Sequence, residues 1–331
     1  MADLRIRETG LQLLVLAPLF ETALWNTASK VAPVTGTGMT SALRSHLEPI
    51  RPDHRDGRVC RSRLKSGQLD GVSDQYSSGV ELLASGRMAE VFVIDDERVV
   101  KLDRQEWNGV SAFESDVITR VAEAGLPVAR SHGVVTIDGR CGVLLDRLYG
   151  RSLLRVVIET ALTDIDSLAE QFVALQAMIN ATVIEGLPDL VGRLSGEIEQ
   201  SGLPSQLVSE LGELLIQLDG GTRRVCHYDL HPDNVIVTAG GWIVIDWLGV
   251  ASGPPVADLA RTLLLGSQSA DSRVSEFMRA VRQHGVRQCG MDEAACNAWI
   301  RLVAAARLAE GFSGESAAWL RTVAEGTVML C

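Results

Sequence analysis

The sequence predicts an α+β protein of two unequal lobes: a small antiparallel-sheet lobe with one helix, and a larger, mostly helical lobe. Between residues 79 and 148, short β-branched runs alternate with turn signals and one helical stretch, in the order β-β-β-α-β-β. From about residue 150 onward, helical periodicity dominates. The length of 331 residues is sufficient for two such units.

The strands of the small lobe are short apolar runs on either side of polar turns. Residues 91–94 and 99–102 flank an acidic tetrapeptide and predict a hairpin. Residues 134–137 and 142–145 flank Asp-Gly-Arg and predict a second hairpin. Between the hairpins, a helical pattern runs from about 106 to 123 and ends before a glycine and a proline, which stop helices.

The larger lobe is predicted from helical periodicity. Apolar residues recur at helical spacing from about residue 150 to 218, and again over 256–268 and 272–328. Between these stretches, strands at 235–238 and 242–245 flank a Gly-Gly pair and predict one more hairpin. The sheet-forming residues of this lobe are therefore confined to one place in the chain.

The chain divides into three predicted segments. Residues 1–78 are rich in Gly, Ser, Pro, Arg and Asp, which predicts a poorly ordered N-terminal extension with a short helix near its start. Its cluster of basic residues suits either an anionic partner or a solvated tail. Residues 79–148 form the small lobe, which meets the large lobe, residues 149–331, at a hinge over 146–150.

Composition narrows the class of protein. With 46% hydrophobic and 22% charged residues, the chain is globular. A net charge of −11 disfavours nucleic acid as the main partner, because phosphate backbones are anionic. The apolar run at 11–20 is too short for a membrane span of roughly 20 residues, so no membrane partner is expected. Six separated cysteines without a C-x-x-C motif favour a cytoplasmic location, and the oligomeric state stays open.

The motif that carries the most chemistry is the run HYDLHPDN at residues 227–234, followed by a strand hairpin that ends at Asp246. Asp229, Asn234 and Asp246 offer carboxylate and amide oxygens, which suit a hard cation such as Mg²⁺ bound together with phosphate. A carboxylate that is not a ligand can take a proton from an attacking hydroxyl. A loop with ordinary Asx turns is the alternative, and it explains single residues better than the whole spaced set.

Zinc is a competing interpretation of the same run, because His227, Asp229 and His231 alternate along the chain. In an extended segment such residues point to one face. However, Pro232 and the Asp-Asn pair after it predict a loop, and the sequence has no further Cys/His pair at a zinc-site spacing. The motif therefore favours magnesium.

These residues resemble the aminoglycoside phosphotransferase family, the small-molecule kinases of the eukaryotic-like protein-kinase superfamily. The family pattern is H-x-D-x-H-x-x-N, then a strand hairpin and I-D-W/F. Protein kinases have a lysine where this chain has His231, and they carry an A-P-E motif that is absent here. The span from Asp246 to Asp258 also leaves little room for an activation loop. The resemblance covers about residues 79–325. It implies a bilobal protein-kinase-like fold, ATP and Mg²⁺ as cofactors, and phosphoryl transfer to a small-molecule hydroxyl.

The resemblance implies roles for the residues of the motif. Asp229 is the catalytic base that accepts the hydroxyl proton, and Asn234 and Asp246 bind the metal. His227 supports the loop through a bond to main chain near Asp246. His231 also belongs to the loop, with its role left open.

The resemblance also implies a nucleotide site in the small lobe. Gly86 lies in a degenerate glycine-rich loop over the phosphates. Lys101 stands at the position of the lysine that contacts the α- and β-phosphates. The chain has only three lysines, so one at this position by chance is improbable. Glu114 pairs with that lysine, with Glu106 and Glu123 as alternatives on the same helix.

Adenine binding is implied at the hinge and on the facing strands. The Asp146 carbonyl and the Leu148 amide would hold the base. Val91 and Val99 would cover it from above and Ile245 from below, although valine and isoleucine at such positions also suit an ordinary core.

The phosphate acceptor is the least determined part of the prediction. An aminoglycoside or other antibiotic is one expectation, since Asp271, Glu276, Glu310 and Glu315 offer carboxylates to a polycation. Metabolite kinases with choline-like or homoserine-like acceptors are the alternative, and a nucleotide-binding pseudokinase that acts as a scaffold is another. Tyr228 and the pair Ile179-Asn180 depart from the family pattern, and both departures are expected to bear on substrate choice.

Overall fold

The structure is a computed structural model that describes residues 81–312 and 314–330. The predicted extension over 1–78, including its helix and basic cluster, lies outside the described residues. Within the described part, every helix is too short or too polar to cross a lipid bilayer. The architecture is an antiparallel five-stranded sheet with one helix, followed by a helical region, which confirms the predicted α+β class.

The sheet has the strand order β1-β2-β3-β5-β4, and every neighbouring pair is antiparallel. Strand β3 is central, and Lys101 on it lies opposite Val91 on one side and Val143 on the other. Both predicted hairpins are confirmed, with a few residues added at their ends. The strands are β1 (Leu82–Ser85), β2 (Ala89–Val93), β3 (Arg98–Asp103), β4 (Ser131–Ile137) and β5 (Arg140–Asp146).

Helix α1 (Val110–Glu123) packs against this sheet and begins four residues later than the sequence predicts. Its start is fixed by the buried carboxylate of Asp103 at the end of β3. That carboxylate accepts hydrogen bonds from the backbone N–H groups of Gly109 (2.8 Å) and Ser111 (3.1 Å). Gly109 has a φ of 110°, a conformation that strongly favours glycine, so the helix cannot extend further back. The capping bonds therefore join the strand of Lys101 to the helix of Glu114.

The large lobe is helical, as predicted, and its helices share one apolar core with the C-terminal half of α1. Most consecutive helices are joined by short connections. The helices are α2 (Leu153–Glu159), α3 (Ile165–Ala181), α4 (Leu190–Glu199), α5 (Ser205–Leu218), α6 (Pro255–Gly266), α7 (Ser272–Cys289), α8 (Glu293–Arg307) and α9 (Gly314–Glu325).

Two small sheets frame the loop that carries the HYDLHPDN motif. The predicted hairpin forms β8 (Val235–Thr238) and β9 (Gly241–Val244), and β6 (Gly150–Ser152) extends it to three strands. Strands β7 (Arg224–Cys226) and β10 (Ala251–Gly253) pair on the other side of the loop. The sequence did not predict β6, β7 or β10, because three residues are too few to show a strand period.

Gly142 on β5 tests how tightly the sheet packs behind Lys101. A Cβ atom at this position would lie 2.6 Å from the Leu102 side chain and 2.9 Å from the Lys101 carbonyl oxygen. We expect Gly142→Ala to lower the free energy of unfolding by about 1–3 kcal/mol, because a backbone atom cannot give way cheaply. Urea denaturation measures the change.

Gly212 in α5 is the matched control, since a Cβ atom there would meet no atom within 4 Å. We expect Gly212→Ala to stabilise the protein by up to about 1 kcal/mol, because alanine has the higher helix propensity. Equal effects of the two substitutions would contradict the steric explanation.

Candidate active site

Lys101 is the centre of a charged cluster between the sheet and the helical lobe. Its Nζ lies 2.7 Å from Glu114 Oε1 on α1 and 2.9 Å from Asp246 Oδ1 beyond β9. Desolvation lowers the pKa of Lys101, but the two carboxylates outweigh it and raise the pKa. The lysine is therefore a fixed positive charge. Of the three candidate glutamates, it is Glu114 that pairs with it.

Asp246 reaches this cluster through an uncommon backbone conformation. Its φ is 62°, a left-handed conformation that turns the chain sharply after β9. Desolvation raises the pKa of the Asp246 carboxyl, but the neighbouring Lys101 outweighs it and lowers the pKa overall. The carboxylate is thus ionised and only partly covered, with 41% of its side chain exposed.

Asp229 and Asn234 lie on the loop between β7 and β8, directly beside this carboxylate. The Asn234 amide donates from Nδ2 to the Asp229 carbonyl oxygen at 2.9 Å and lies 3.3 Å from Asp229 Oδ2. The Ile245 N–H donates to the Asn234 carbonyl oxygen at 3.0 Å, which ties the loop to the residue before Asp246. The structure therefore brings the three oxygen-bearing residues of the motif together.

His227 and His231 are both used in bonds within the loop. His227 Nε2 lies 3.0 Å from the Ile245 carbonyl oxygen, the kind of main-chain contact that the sequence analysis expected. Its Nδ1 accepts the Asp229 N–H at 3.2 Å, which assigns the proton of the ring to Nε2. Burial lowers the pKa of His227, so the neutral ring needed for these two bonds is favoured. His231 Nδ1 accepts the Asp233 N–H at 3.3 Å and begins the short helical turn at Pro232–Asn234.

A buried carboxylate on α6, for which no role was predicted from the sequence, fixes the start of the loop. Asp258 Oδ1 accepts the Tyr228 N–H at 2.7 Å, and its Oδ2 accepts Asn180 Nδ2 at 2.9 Å. The same Asn180 amide group donates to the Val225 carbonyl oxygen at 2.8 Å. These bonds hold Tyr228 at a φ of 59°, which is rare for an aromatic residue. Asn180, expected to bear on substrate choice, is thus a buried support for the loop.

The side chain of Tyr228, which was expected to bear on substrate choice, is buried, with the residue 4% exposed. Its ring contacts the guanidinium groups of Arg193 on α4 and Arg261 on α6. Arg261 is in turn paired with Glu310 at 2.7 Å. The sequence analysis assigned no role to either arginine.

The proposed base, Asp229, is close to this arginine cluster. Burial raises the pKa of Asp229 to about 6, while Arg261, whose Nη2 lies 4.0 Å from Asp229 Oδ1, lowers it. A carboxyl with this pKa is mostly ionised at neutral pH and remains a stronger proton acceptor than an ordinary aspartate. The position thus suits general-base chemistry.

The residues proposed for the nucleotide lie on the small sheet and directly after β9. Gly86 forms the turn between β1 and β2, where its N–H donates to the Ala89 carbonyl oxygen at 2.9 Å. Arg104, not singled out from the sequence, donates to the Gly86 carbonyl oxygen at 2.9 Å and holds the turn. Val91 and Ile245 are half-buried and Val99 is buried. Their contact with adenine stays a prediction.

The hinge residues also keep predicted roles only. The Asp146 carboxylate accepts the N–H of Arg130, the residue before β4, at 3.1 Å and lies 2.7 Å from His132 Nε2 on β4. Leu148 is half-buried directly after β5. The assignment of the Asp146 carbonyl and Leu148 amide to adenine is therefore untested.

The acidic residues expected to line an acceptor site have different surroundings. Glu310 is near Asp229 through Arg261, as described above. Asp271 caps α7 by accepting the Arg273 N–H at 2.8 Å, and Glu276 pairs with Arg279 at 2.5 Å on the same helix. The side chain of Glu315 lies outside the described part of the chain.

Comparison with known proteins identifies the family. A family profile described as "Phosphotransferase enzyme family" matches residues 79–292, which is more than half of the chain. The chain belongs to this phosphotransferase family. It is accordingly a kinase-type phosphotransferase that acts on small molecules. None of the curated proteins matches it.

Solved structures of other family members have the same fold. A thermostable mutant of aminoglycoside phosphotransferase APH(4)-Ia, in complex with ADP and hygromycin B, aligns with a TM-score of 0.57 at 15% identity, covering 75% of this chain and 92% of that one. APH(3'')-Id from Streptomyces rimosus, with ADP and streptomycin, has a TM-score of 0.52 at 17% identity, with coverage of 69% and 93%. A GDP and kanamycin complex of APH(2'')-IIIa has a TM-score of 0.51 at 17% identity, with coverage of 75% and 91%. The phosphotransferase fold is therefore shared, and these neighbours bind nucleotides.

Asp258→Asn tests the support of the loop. The amide can still accept the Tyr228 N–H, but its NH₂ group then faces the NH₂ group of Asn180. We expect a loss of about 2 kcal/mol in the free energy of unfolding, because a buried bond to a charged group is lost. Urea denaturation measures it, with exposed Glu199→Gln as the control. Equal stability of both variants would contradict the role of Asp258.

Glu310 gives the phosphotransferase an acid-sensitive contact. Burial raises its pKa, but Arg261 and Arg307 outweigh burial and lower it to about 2, from an ordinary value of 4.5. Its stabilisation is thus complete above pH 4.5 and is lost as the pH falls from 4.5 towards 2.

We expect Glu310→Gln to lower stability at pH 7 by up to about 3 kcal/mol, since each pKa unit corresponds to about 1.4 kcal/mol. The difference from wild type should shrink between pH 4.5 and 3, as measured by urea denaturation at several pH values. Exposed Glu325→Gln is the control, and a pH-independent difference would contradict the assignment.

Proposed function

We propose that this phosphotransferase transfers the γ-phosphoryl group of ATP to a hydroxyl of a small molecule. The observation that carries the proposal is the cluster formed by Lys101, Glu114 and Asp246, next to a loop that holds Asp229 and Asn234. Residues separated by more than 100 positions in the chain form this cluster. A structural ion pair alone does not require the adjacent carboxylate and amide.

The residues present fit a magnesium ion held with phosphate. Asn234 uses its Nδ2 group in the bond to Asp229, so its amide oxygen is the atom available to a metal. Asp246 is ionised and partly exposed. One carboxylate and one amide oxygen are a typical protein contribution to a magnesium site completed by phosphates and water. Mg²⁺ with ATP, when bound, supplies the phosphoryl group and neutralises charge on its oxygens.

The chain itself supplies position and charge. Lys101, oriented by Glu114, offers a fixed ammonium to the α- and β-phosphates. The Gly86 turn, held by Arg104, would cover them. Asp229 accepts the proton of the acceptor hydroxyl at a carboxylate oxygen and directs the hydroxyl oxygen towards the phosphorus. Such positioning supplies most of the rate enhancement in phosphoryl transfer.

We propose the domain division predicted from the sequence, with the small lobe at 79–148, the hinge at 146–150 and the large lobe from 149. We also propose that adenine binds between Val91, Val99 and Ile245. The proposed location is the cytoplasm, where ATP is available. The acceptor candidates are an aminoglycoside or other antibiotic, or a choline-like or homoserine-like metabolite. The pseudokinase alternative is disfavoured because Lys101, Asp229, Asn234 and Asp246 are all present.

Asp229→Asn tests the catalytic assignment. We expect kcat to fall by about 10²–10⁴-fold, because the amide cannot accept the hydroxyl proton. Nucleotide binding should persist, since Asp229 is not a proposed phosphate or metal ligand. The measurement is ADP release with Mg-ATP against a panel of hydroxylated antibiotics and metabolites, with ³¹P detection of product.

Asp116→Asn, on the exposed face of α1, is the matched control and should leave turnover unchanged. Wild-type turnover by the Asp229→Asn variant would refute the catalytic assignment. Tight Mg-ATP binding without turnover of any compound would favour the pseudokinase.

A further inference from the structure

The arginine–tyrosine stack beside Asp229 consists of Arg193, Tyr228 and Arg261. The Cζ atoms of Arg193 and Arg261 lie 4.4 Å and 5.1 Å from the centroid of the Tyr228 ring. Each member is anchored on the loop between β7 and β8 or next to it. Arg193 donates from both Nη atoms to the Gly249 carbonyl oxygen at 3.1 Å, and the Tyr228 N–H is bound by Asp258.

Three buried polar atoms in the arginine–tyrosine stack have no hydrogen-bond partner among the described residues. They are Arg193 Nε, Arg261 Nε and Tyr228 Oη. Each can donate a hydrogen bond, and a guanidinium cannot accept one. Because an unsatisfied buried donor is costly, the site favours a ligand that brings acceptor oxygens.

The two glutamates nearest the stack compete only weakly for its unpaired donors. Glu310 is shared by two arginines, with Oε1 at 2.7 Å from Arg261 and Oε2 at 3.0 Å from Arg307. Burial also raises the pKa of nearby Glu197 to about 7, so that its negative charge is incomplete at neutral pH. Neither glutamate satisfies the three unpaired donors of the stack.

We propose that the acceptor is an alcohol with an anionic oxygen group, either a carboxylate or a phosphate, which Arg193, Arg261 and Tyr228 recognise. This inference rests on the proposed function. The hydroxyl of this acceptor would lie at Asp229, since Arg261 Nη2 is 4.0 Å from Asp229 Oδ1. An ammonium group carries only donors and a positive charge, so it cannot pair with either arginine Nε atom, and only the Tyr228 hydroxyl could accept a hydrogen bond from it. The arginine–tyrosine stack thus selects against polycationic acceptors.

The test compares sugars of similar size and different charge. The full chain, saturated with Mg-AMP-PNP so that anions cannot occupy the nucleotide site, is titrated with glucose, gluconate, glucose 6-phosphate, glucosamine and kanamycin. We expect gluconate or glucose 6-phosphate to bind about 10- to 100-fold more tightly than glucose, as charge-assisted hydrogen bonds allow. Gluconate and glucose 6-phosphate separate the carboxylate from the phosphate.

Two variants report on the arginine–tyrosine stack itself. Arg193→Met removes a half-buried guanidinium, and Tyr228→Phe removes only the hydroxyl and keeps the ring. Both should weaken binding of the anionic sugar, by about 10-fold for Arg193→Met, and leave glucose binding unchanged. A purely structural role would weaken both sugars equally. Exposed Arg151→Met is the control.

Binding of neither anionic sugar, or tighter binding of glucosamine or kanamycin, would overturn this inference. Turnover of kanamycin with Mg-ATP would overturn it and leave the proposed phosphotransfer to a hydroxyl intact. Failure of the wild-type protein to bind Mg-ATP would overturn the proposed function, and this inference with it.

Discussion

The site depends above all on one buried carboxylate, that of Asp258. It accepts hydrogen bonds from the Tyr228 N–H and the Asn180 amide, so it fixes the start of the loop between β7 and β8 against α3 and α6. The left-handed backbone of Tyr228 is tolerated because its N–H is held by the buried Asp258 carboxylate, which Asn180 fixes in turn. Asp229 directly follows Tyr228, so its position depends on the same hydrogen bond.

The ion pairs of Lys101 complete the site by joining two separate units. Glu114 approaches from α1, whose start is fixed by Asp103, and Asp246 approaches from the end of β9. Strand, helix and loop therefore meet at a single ammonium group. Since each carboxylate is held by its own backbone, the lysine is positioned before any ligand binds, which lowers the cost of ordering the site.

Much of the fold and part of the site were predictable because their signals are local or precisely spaced. The strands around Lys101 show alternation and turn residues, and the spacing of Asp229, Asn234 and Asp246 follows one loop and one hairpin. The start of α1 was wrong because its capping group, Asp103, belongs to the preceding strand. The arginine–tyrosine stack was missed for a related reason. Its members lie on α4, the loop and α6, and no local pattern indicates that two arginines share one ring.

Glu310 connects more of the molecule than its position near the end of the chain suggests. Its carboxylate binds Arg261 beside the catalytic loop, while its carbonyl oxygen accepts Arg87 Nη2, from the turn that contains Gly86, at 3.1 Å. The contact beside Asp229 and the contact on the Gly86 turn thus share a single residue. By thermodynamic linkage, whatever one ligand does to the affinity of the other is returned by the same factor. If the acceptor shifts Arg261 and the nucleotide shifts the Gly86 turn, the two ligands would be coupled through Glu310.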